Sequence, residues 1–203
     1  MTAPVLILGT SGFAVELHAL LQSAGRSVLG FVGPSGETVL PAAHLGDDAA
    51  LDRIDAQVEV LVAVGAAAVR RRLMEMILKK GRKPATFVSP GAYVADNAEL
   101  SAGVIIYPNA TVHAAARLGK GVLVNSNASV GHETRIGDYG TVGPGAAIGG
   151  RCEIGAEAYL GIGCSIIESL RIAHGAVVGA GAVVVRSIES AGTYVGVPAR
   201  RIA

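Results

Sequence analysis

Neither sign of charge dominates this chain: 17 Lys and Arg stand against 16 Asp and Glu, a net charge of +1 over 203 residues. That balance supplies no basic field for nucleic acid or an anionic membrane, so neither is expected as a partner. Cysteine is equally scarce. Cys152 and Cys164 are the only two, and both fall at small, inward positions of the repeat described below, which reads as reduced packing and not as a disulfide or metal pair. No metal is expected. Long hydrophobic runs are missing as well: Val5–Leu8 stops at Gly9, and the preceding Met-Thr-Ala-Pro has no cationic region. Neither a signal peptide nor a membrane span is expected, and the expected location is the cytoplasm.

What the chain does contain is a strict period. From Val88 to Val184 every sixth residue is Val, Leu or Ile without exception, and repetition this regular marks a solenoid. Two positions before each aliphatic the residue is mostly small, as at Ala110, Ala116, Ala128, Thr134, Cys152 and Cys164, with Val104, Val122 and Leu170 larger. Buried positions two apart mean extended backbone, and a period of six means that the strand turns a corner every six residues. Aliphatic and small residues together fill a narrow core. Gly131, Gly137, Gly143, Gly155, Gly161 and Gly179 are expected to ease the corners. The implied product is a β-helix.

Residues 1–84 read differently. Val5–Leu8 is a buried strand, followed by the turn Gly9-Thr10-Ser11-Gly12 and a helix with Phe13, Leu17, Leu20, Leu21 and Ala24 at helical spacing, closed by Gly25. Val28–Val32 and Val58–Val64 are further strands. A helix from about Ala66 to Lys80 puts Val69, Leu73, Met76 and Ile77 on one side and ends at Gly81. Alternating strands and helices predict a small Rossmann-like α/β domain with a parallel sheet. The turn offers N–H groups to a phosphate or other anion. It is not a dinucleotide fingerprint, because the third glycine is absent and Gly33-Pro34 stands where an acidic residue would end the second strand, so NAD is not expected.

The [Leu/Ile/Val]-Gly-x4 pattern, as in Ile136-Gly137, Val142-Gly143 and Ile154-Gly155, resembles the hexapeptide-repeat acyltransferases. That resemblance implies a mainly β domain over 85–203, a left-handed parallel β-helix with three hexads per turn. A Gly-x-Ser-Gly turn opening an α/β unit before a prism that ends in Gly196-Val197-Pro198-Ala199-Arg200 is similar to the bacterial sugar acyltransferases. These include sialic acid O-acetyltransferases and N-acetyltransferases of nucleotide-linked 4-amino sugars. The resemblance implies that a nucleotide sugar is held by Ser11, Gly12, Phe13 and Gly65. Gly33 and Pro34 join that set at the place where relatives often carry acidic residues.

With three hexads per turn, residues eighteen apart stack. Glu99, Arg117, Arg135, Glu153, Arg171 and Glu189 form a charged column expected to face water. Ile105, Leu123, Thr141, Tyr159 and Val177 form a mostly apolar one. An exposed apolar stripe argues for a subunit contact, and the family resemblance implies a homotrimer.

Five histidines compete for a catalytic role. His18 and His44 read as surface residues, and His113 and His174 as outward positions. His132 stands between Ala114 one coil below and Gly150 one coil above, beside open space. An extended strand would aim Glu133 away from it, so Glu133 assists only if the chain turns there. The segment Asn125–Gly137 resembles the family's catalytic segment, which implies His132 as general base, Glu133 raising its basicity and Asn125 beside them. The expected chemistry is direct transfer from acetyl-CoA, with a main-chain N–H such as that of Gly150 facing the oxyanion. The resemblance further implies coenzyme contacts at Ile162, Gly179, Ala180 and Gly181, and at Thr141 where some relatives carry a second histidine. Arg200 is a candidate for the coenzyme phosphates.

The leading expectation is N-acetylation of a nucleotide-linked amino sugar. Sugar O-acetylation and a non-catalytic nucleotide-sugar scaffold are the alternatives. A zinc hydratase on the same prism is disfavoured, because His113, His132 and His174 lack that family's close histidine pair.

Overall fold

The computed structural model describes residues 4–36 and 38–202; the leader reading at residues 1–3 lies outside them. The chain divides into two compact units, Met1–Pro90 and Gly91–Ala203. In the first, β1 (Val5–Leu8), α1 (Gly12–Ser23), β2 (Val28–Val32), β3 (Glu59–Val62) and α2 (Ala67–Lys79) follow in order, with a short 3-10 turn at Asp48–Arg53. The three strands form one parallel sheet in the order β2-β1-β3. All of β1 is buried, as expected of a central parallel strand covered on both faces.

Two sequence expectations change here. The buried side of α2 is Arg70, Leu73, Met74 and Ile77, while Val69 is exposed. An arginine occupies the core position because its guanidinium donates to the carbonyls of Val64 at 2.9 Å and Gly65 at 2.7 Å, so the buried charge is matched by the backbone that ends β3. His18 is likewise buried and stacks on Phe31, ring centroids 5.7 Å apart. His44 stays exposed.

The second unit is a parallel β-helix of two-residue strands arranged in three sheets. The first face carries Tyr93, Thr111, Ser129, Ala147, Ser165 and Val183; the second carries Glu99, Arg117, Arg135, Glu153 and Arg171; the third carries Ile105, Leu123, Thr141, Tyr159 and Val177. From Tyr93 to Val184 residues eighteen apart are register partners, as Ser129 with Ala147 and Arg135 with Glu153; the last coil is shorter, with Val177 opposite Thr193. The aliphatic and small columns form one continuous core. Val88, first in the aliphatic series, falls in the other unit and is largely exposed.

The corners follow one rule. At most corners the carbonyl of the residue after the aliphatic accepts the N–H three residues on, as in Ala146 N to Gly143 O at 3.1 Å and Cys164 N to Gly161 O at 3.2 Å. The third residue of the turn has positive φ, with Asn127 at 59°, Glu133 at 60° and Gly145 at 64°, the pattern of a type II turn. The glycines directly after the aliphatics therefore do not supply the left-handed conformation expected of them. They are needed for space: a Cβ on Gly137 would sit 2.5 Å from Ala156 N and 2.8 Å from Ala156 Cα in the coil above.

The charged second face is open to solvent, and Arg117 pairs with Glu99 at 3.3 Å and Arg171 with Glu153 at 3.1 Å. The apolar third face departs from expectation. Ile105 and Leu123 are 0% and 2% exposed and Thr141 is buried, so the chain itself covers the lower part of this face. Only Tyr159 is well exposed, with Val177 half-buried. The continuous exposed stripe that argued for a subunit contact does not exist.

The two glycine classes separate in stability measurements. Gly137→Ala meets backbone and is expected to lose roughly 1–3 kcal/mol in urea unfolding. Gly145→Ala meets open space but a positive φ and loses about 1–2 kcal/mol, and Gly145→Asn, the residue type at Asn127, recovers most of it. Equal losses for all three variants contradict the turn rule.

Candidate active site

The corner between the first and second faces carries the reactive pair. After the strand Ser129–Val130, the turn Gly131-His132-Glu133-Thr134 closes with Thr134 N donating to Gly131 O at 3.3 Å. Glu133 takes the positive-φ position, so the chain reverses and its carboxylate swings back beside His132. His132 Nδ1 and Glu133 Oε2 are 2.9 Å apart, and both side chains are about half exposed, at 52% and 57%. A carboxylate only accepts, so the Nδ1–H donates to it and the lone pair is left on Nε2.

Nε2 lies over Gly150 in the next coil. A Cβ on Gly150 would overlap the imidazole, and the ring in turn buries that glycine. Main-chain bonds stack the corners: Glu133 N donates to Ala114 O at 2.9 Å and Arg151 N to His132 O at 2.8 Å. His113, one coil below, packs edge-on against Tyr93 with ring centroids 6.4 Å apart.

Most of the expected coenzyme residues, and Asn125 of the expected catalytic set, stand elsewhere. Asn125, Ile162, Gly179, Ala180 and Gly181 all follow third-face strands and therefore occupy the corner between the third and first faces. Ile162, Ala180 and Gly181 are exposed there. Asn125 does not join His132; its Oδ1 accepts the Ser126 N–H at 2.8 Å. Thr141, expected in a coenzyme groove, is buried in the third face. Arg200 is exposed, and its Nη1 donates to the neighbouring Ala199 carbonyl at 2.9 Å. The candidate residues thus divide between two different corners of the prism.

In the α/β unit, a cavity of about 240 Å³ opens at the C-terminal ends of the strands, lined by Thr10, Ser11, Gly33, Pro34, Asp48 and Arg72 among others. Because β1 lies between β2 and β3, this is the crevice where connections leave the sheet in opposite directions, a common ligand position. Thr10 Oγ1 donates to Pro34 O at 2.7 Å, and His44 Nε2 lies 2.9 Å from Gly33 O. Of the predicted contacts, Ser11, Gly33 and Pro34 line the cavity, while Gly12, Phe13 and Gly65 do not. Asp48 and Arg72 were not foreseen. The only cue to Arg72 was its place near the start of the second helix, and no motif marks Asp48.

Among the described residues no group of His, Cys, Asp and Glu could hold a metal ion. Residues 4–77 match the family model described as the PglD N-terminal domain. A variant of perosamine N-acetyltransferase from Caulobacter crescentus, in complex with CoA and GDP-perosamine, matches with TM-score 0.95 and 27% identity over 100% of this chain and 98% of that one. The acetyltransferase domain of PglB from Neisseria gonorrhoeae, in complex with acetyl coenzyme A, matches at 0.94 and 27% over 100% of both chains. WeeI from Acinetobacter baumannii matches at 0.91 and 28% over 99% of this chain and 100% of that one. No curated protein matches the sequence.

The cysteines stand apart from this chemistry. Burial raises the Cys152 thiol and pushes Cys164 from its ordinary 9.0 up to about 11. The folded chain keeps these protons where the unfolded chain would lose them. The stability that Cys164 contributes is therefore present below pH 9 and is lost as the pH rises toward 11, and the raised Cys152 acts in the same direction. Iodoacetamide is expected to label neither thiol in native protein at pH 8 and both after denaturation; rapid native labelling at either position contradicts this placement.

Proposed function

The chain belongs to the hexapeptide-repeat sugar acetyltransferases, and from that premise we propose that it acetylates the amine of a nucleotide-linked amino sugar with His132 as general base. It is an acyltransferase, and its co-substrate is acetyl-CoA. The observation that carries the proposed role of His132 is the Nδ1–Glu133 bond, which leaves Nε2 free over a glycine.

The neutral amine attacks the thioester carbon. As the C–N bond forms, Nε2 takes the proton and the Glu133 carboxylate offsets the developing imidazolium charge. The Gly150 N–H makes no hydrogen bond within the described chain and faces the oxyanion of the tetrahedral intermediate. Collapse breaks the C–S bond, and the proton passes from His132 to the departing CoA thiolate. No covalent enzyme intermediate is required.

The half-site geometry supports a homotrimer. In a three-fold assembly of prisms the His132 corner of one copy meets the Asn125–Ile162–Ala180 corner of the next, and the pantetheine arm lies between them. Gly179 and Gly181 leave room for that arm. Arg200 and the coenzyme phosphates complete this end, and the cavity at Ser11, Gly33 and Pro34 takes the nucleotide. An amine acceptor is favoured over a hydroxyl because the matched Caulobacter protein is an N-acetyltransferase. No helix among the described residues is long and apolar enough to cross a membrane, and both co-substrates belong to the cytoplasm, where we place the reaction.

Release of CoA thiol is measured with UDP-, GDP- and dTDP-linked 4-amino sugars and with sialic acid; turnover of an amino sugar is expected. His132→Ala should lower kcat roughly 10²- to 10⁴-fold, and wild-type turnover in that variant would falsify the assignment. His132→Ala and Ala180→Trp, each inactive alone, should recover partial activity when unfolded together and refolded as mixed assemblies. No recovery means that the two corners do not share a site.

A further inference from the structure

The small column that lines the core carries one hydroxyl under the His132 corner. Thr134 is fully buried, with Ala116 below it and Cys152 above. Its Oγ1 donates to Gly149 O at 2.8 Å and accepts the Cys152 N–H at 3.1 Å. The roles are forced: an amide N–H must donate, so the single hydroxyl proton goes to the carbonyl. In ordinary corners these two backbone groups bond each other directly, as Ala146 N does to Gly143 O and Ala158 N to Gly155 O. At Gly149–Cys152 the hydroxyl stands in the middle of the turn bond. One coil higher the Cys152 thiol reaches Ile167 O at 3.2 Å in the same relation, so the departure is confined to this edge of the prism.

The consequence reaches the reaction centre through a planar peptide. Carbonyl and N–H point in opposite directions across a trans peptide bond. Thr134 draws Gly149 O toward the coil below, away from the direct bond across the turn to Cys152 N, and the Gly149–Gly150 peptide is thereby tilted relative to an ordinary corner, with its N–H turned away from the core. We propose that Thr134 is a positioning residue for acyl transfer: by bridging the Gly149–Cys152 turn from below, it aims the Gly150 N–H at the oxyanion. The inference rests on the acetyltransferase reading and adds to it a residue that touches neither substrate nor coenzyme.

The test is Thr134→Ala. Alanine is common in this column, and the freed Cys152 N–H and Gly149 O can close the ordinary turn bond, so the variant should fold with the Gly149–Gly150 peptide at the ordinary tilt and the aim of the Gly150 N–H lost. With the acceptor that wild type turns over best, kcat should fall roughly ten- to hundredfold, while KM for acetyl-CoA and for the acceptor stay within about twofold. The acid limb of the pH–rate profile should not move, because the His132–Glu133 pair is untouched. Thr134→Ser, which keeps the hydroxyl, should restore most of the rate. If Thr134→Ala does not accumulate folded, Thr134→Val carries the test with a side chain of the same shape, without the hydroxyl, and of a type already present in the column at Val104 and Val122. Wild-type kcat in a folded variant, a shifted acid limb, or a loss confined to KM overturns the inference. Failure of wild type to release thiol with any acceptor overturns the functional reading instead. In that case a crystal structure of Thr134→Ala still tests the hydroxyl bridge, and an unchanged Gly149–Gly150 peptide overturns it.

Discussion

Everything in the prism depends on how closely one coil lies on the next. Strands of two residues make few bonds each, so the structure holds only if the backbone of every coil sits at interstrand spacing, about 4.8 Å, from its neighbours along all three faces. The corners feel this most. At several of them the chain of one coil passes close over the residue after the aliphatic, and a side chain at Gly131, Gly137 or Gly161 would enter main-chain atoms. The glycines record that proximity, while the bend itself is carried two residues later, where Asn, Glu, Ala and Arg also accept a positive φ.

The same closeness supplies the chemistry. His132 has somewhere to rest because the coil above it presents Gly150, and Glu133 reaches the imidazole because the turn places it at the reversing position. A scaffold built from identical corners acquires a reactive one by changing what stands on it and beneath it, leaving the backbone rule intact. Thr134 is the change beneath: one hydroxyl in a column of mostly small apolar residues reroutes a turn bond. Arg70 plays a comparable part in the α/β unit, where a buried guanidinium occupies the carbonyls of Val64 and Gly65.

Dividing the site between corners has a structural logic. A triangular prism turns its corners outward and apart, so residues on two of them cannot meet within one chain. In the proposed reaction the acyl donor and the general base come together between copies, which ties that reaction to assembly. The buried state of Ile105 and Leu123 removes one argument for the proposed assembly, an apolar stripe, and leaves the placing of the candidate residues on separate corners as the observation behind that proposal.

Much of this was legible from spacing. Period six and period two are local properties of the backbone, so Val94 to Val184, the small column beside them and the stacking of Arg135 on Arg117 follow from the sequence by itself, as does the place of His132 below Gly150. Asn125 and His132 are seven residues apart, and that nearness in the chain suggested nearness in space; a corner intervenes. Which groups meet across coils was decided only by tertiary structure: the burial of His18 and Arg70, the cover over Ile105, and the hydroxyl of Thr134 between Gly149 and Cys152. Those contacts join residues whose positions are set by separate elements, and no periodicity records whether a side chain at a known address will find a partner there.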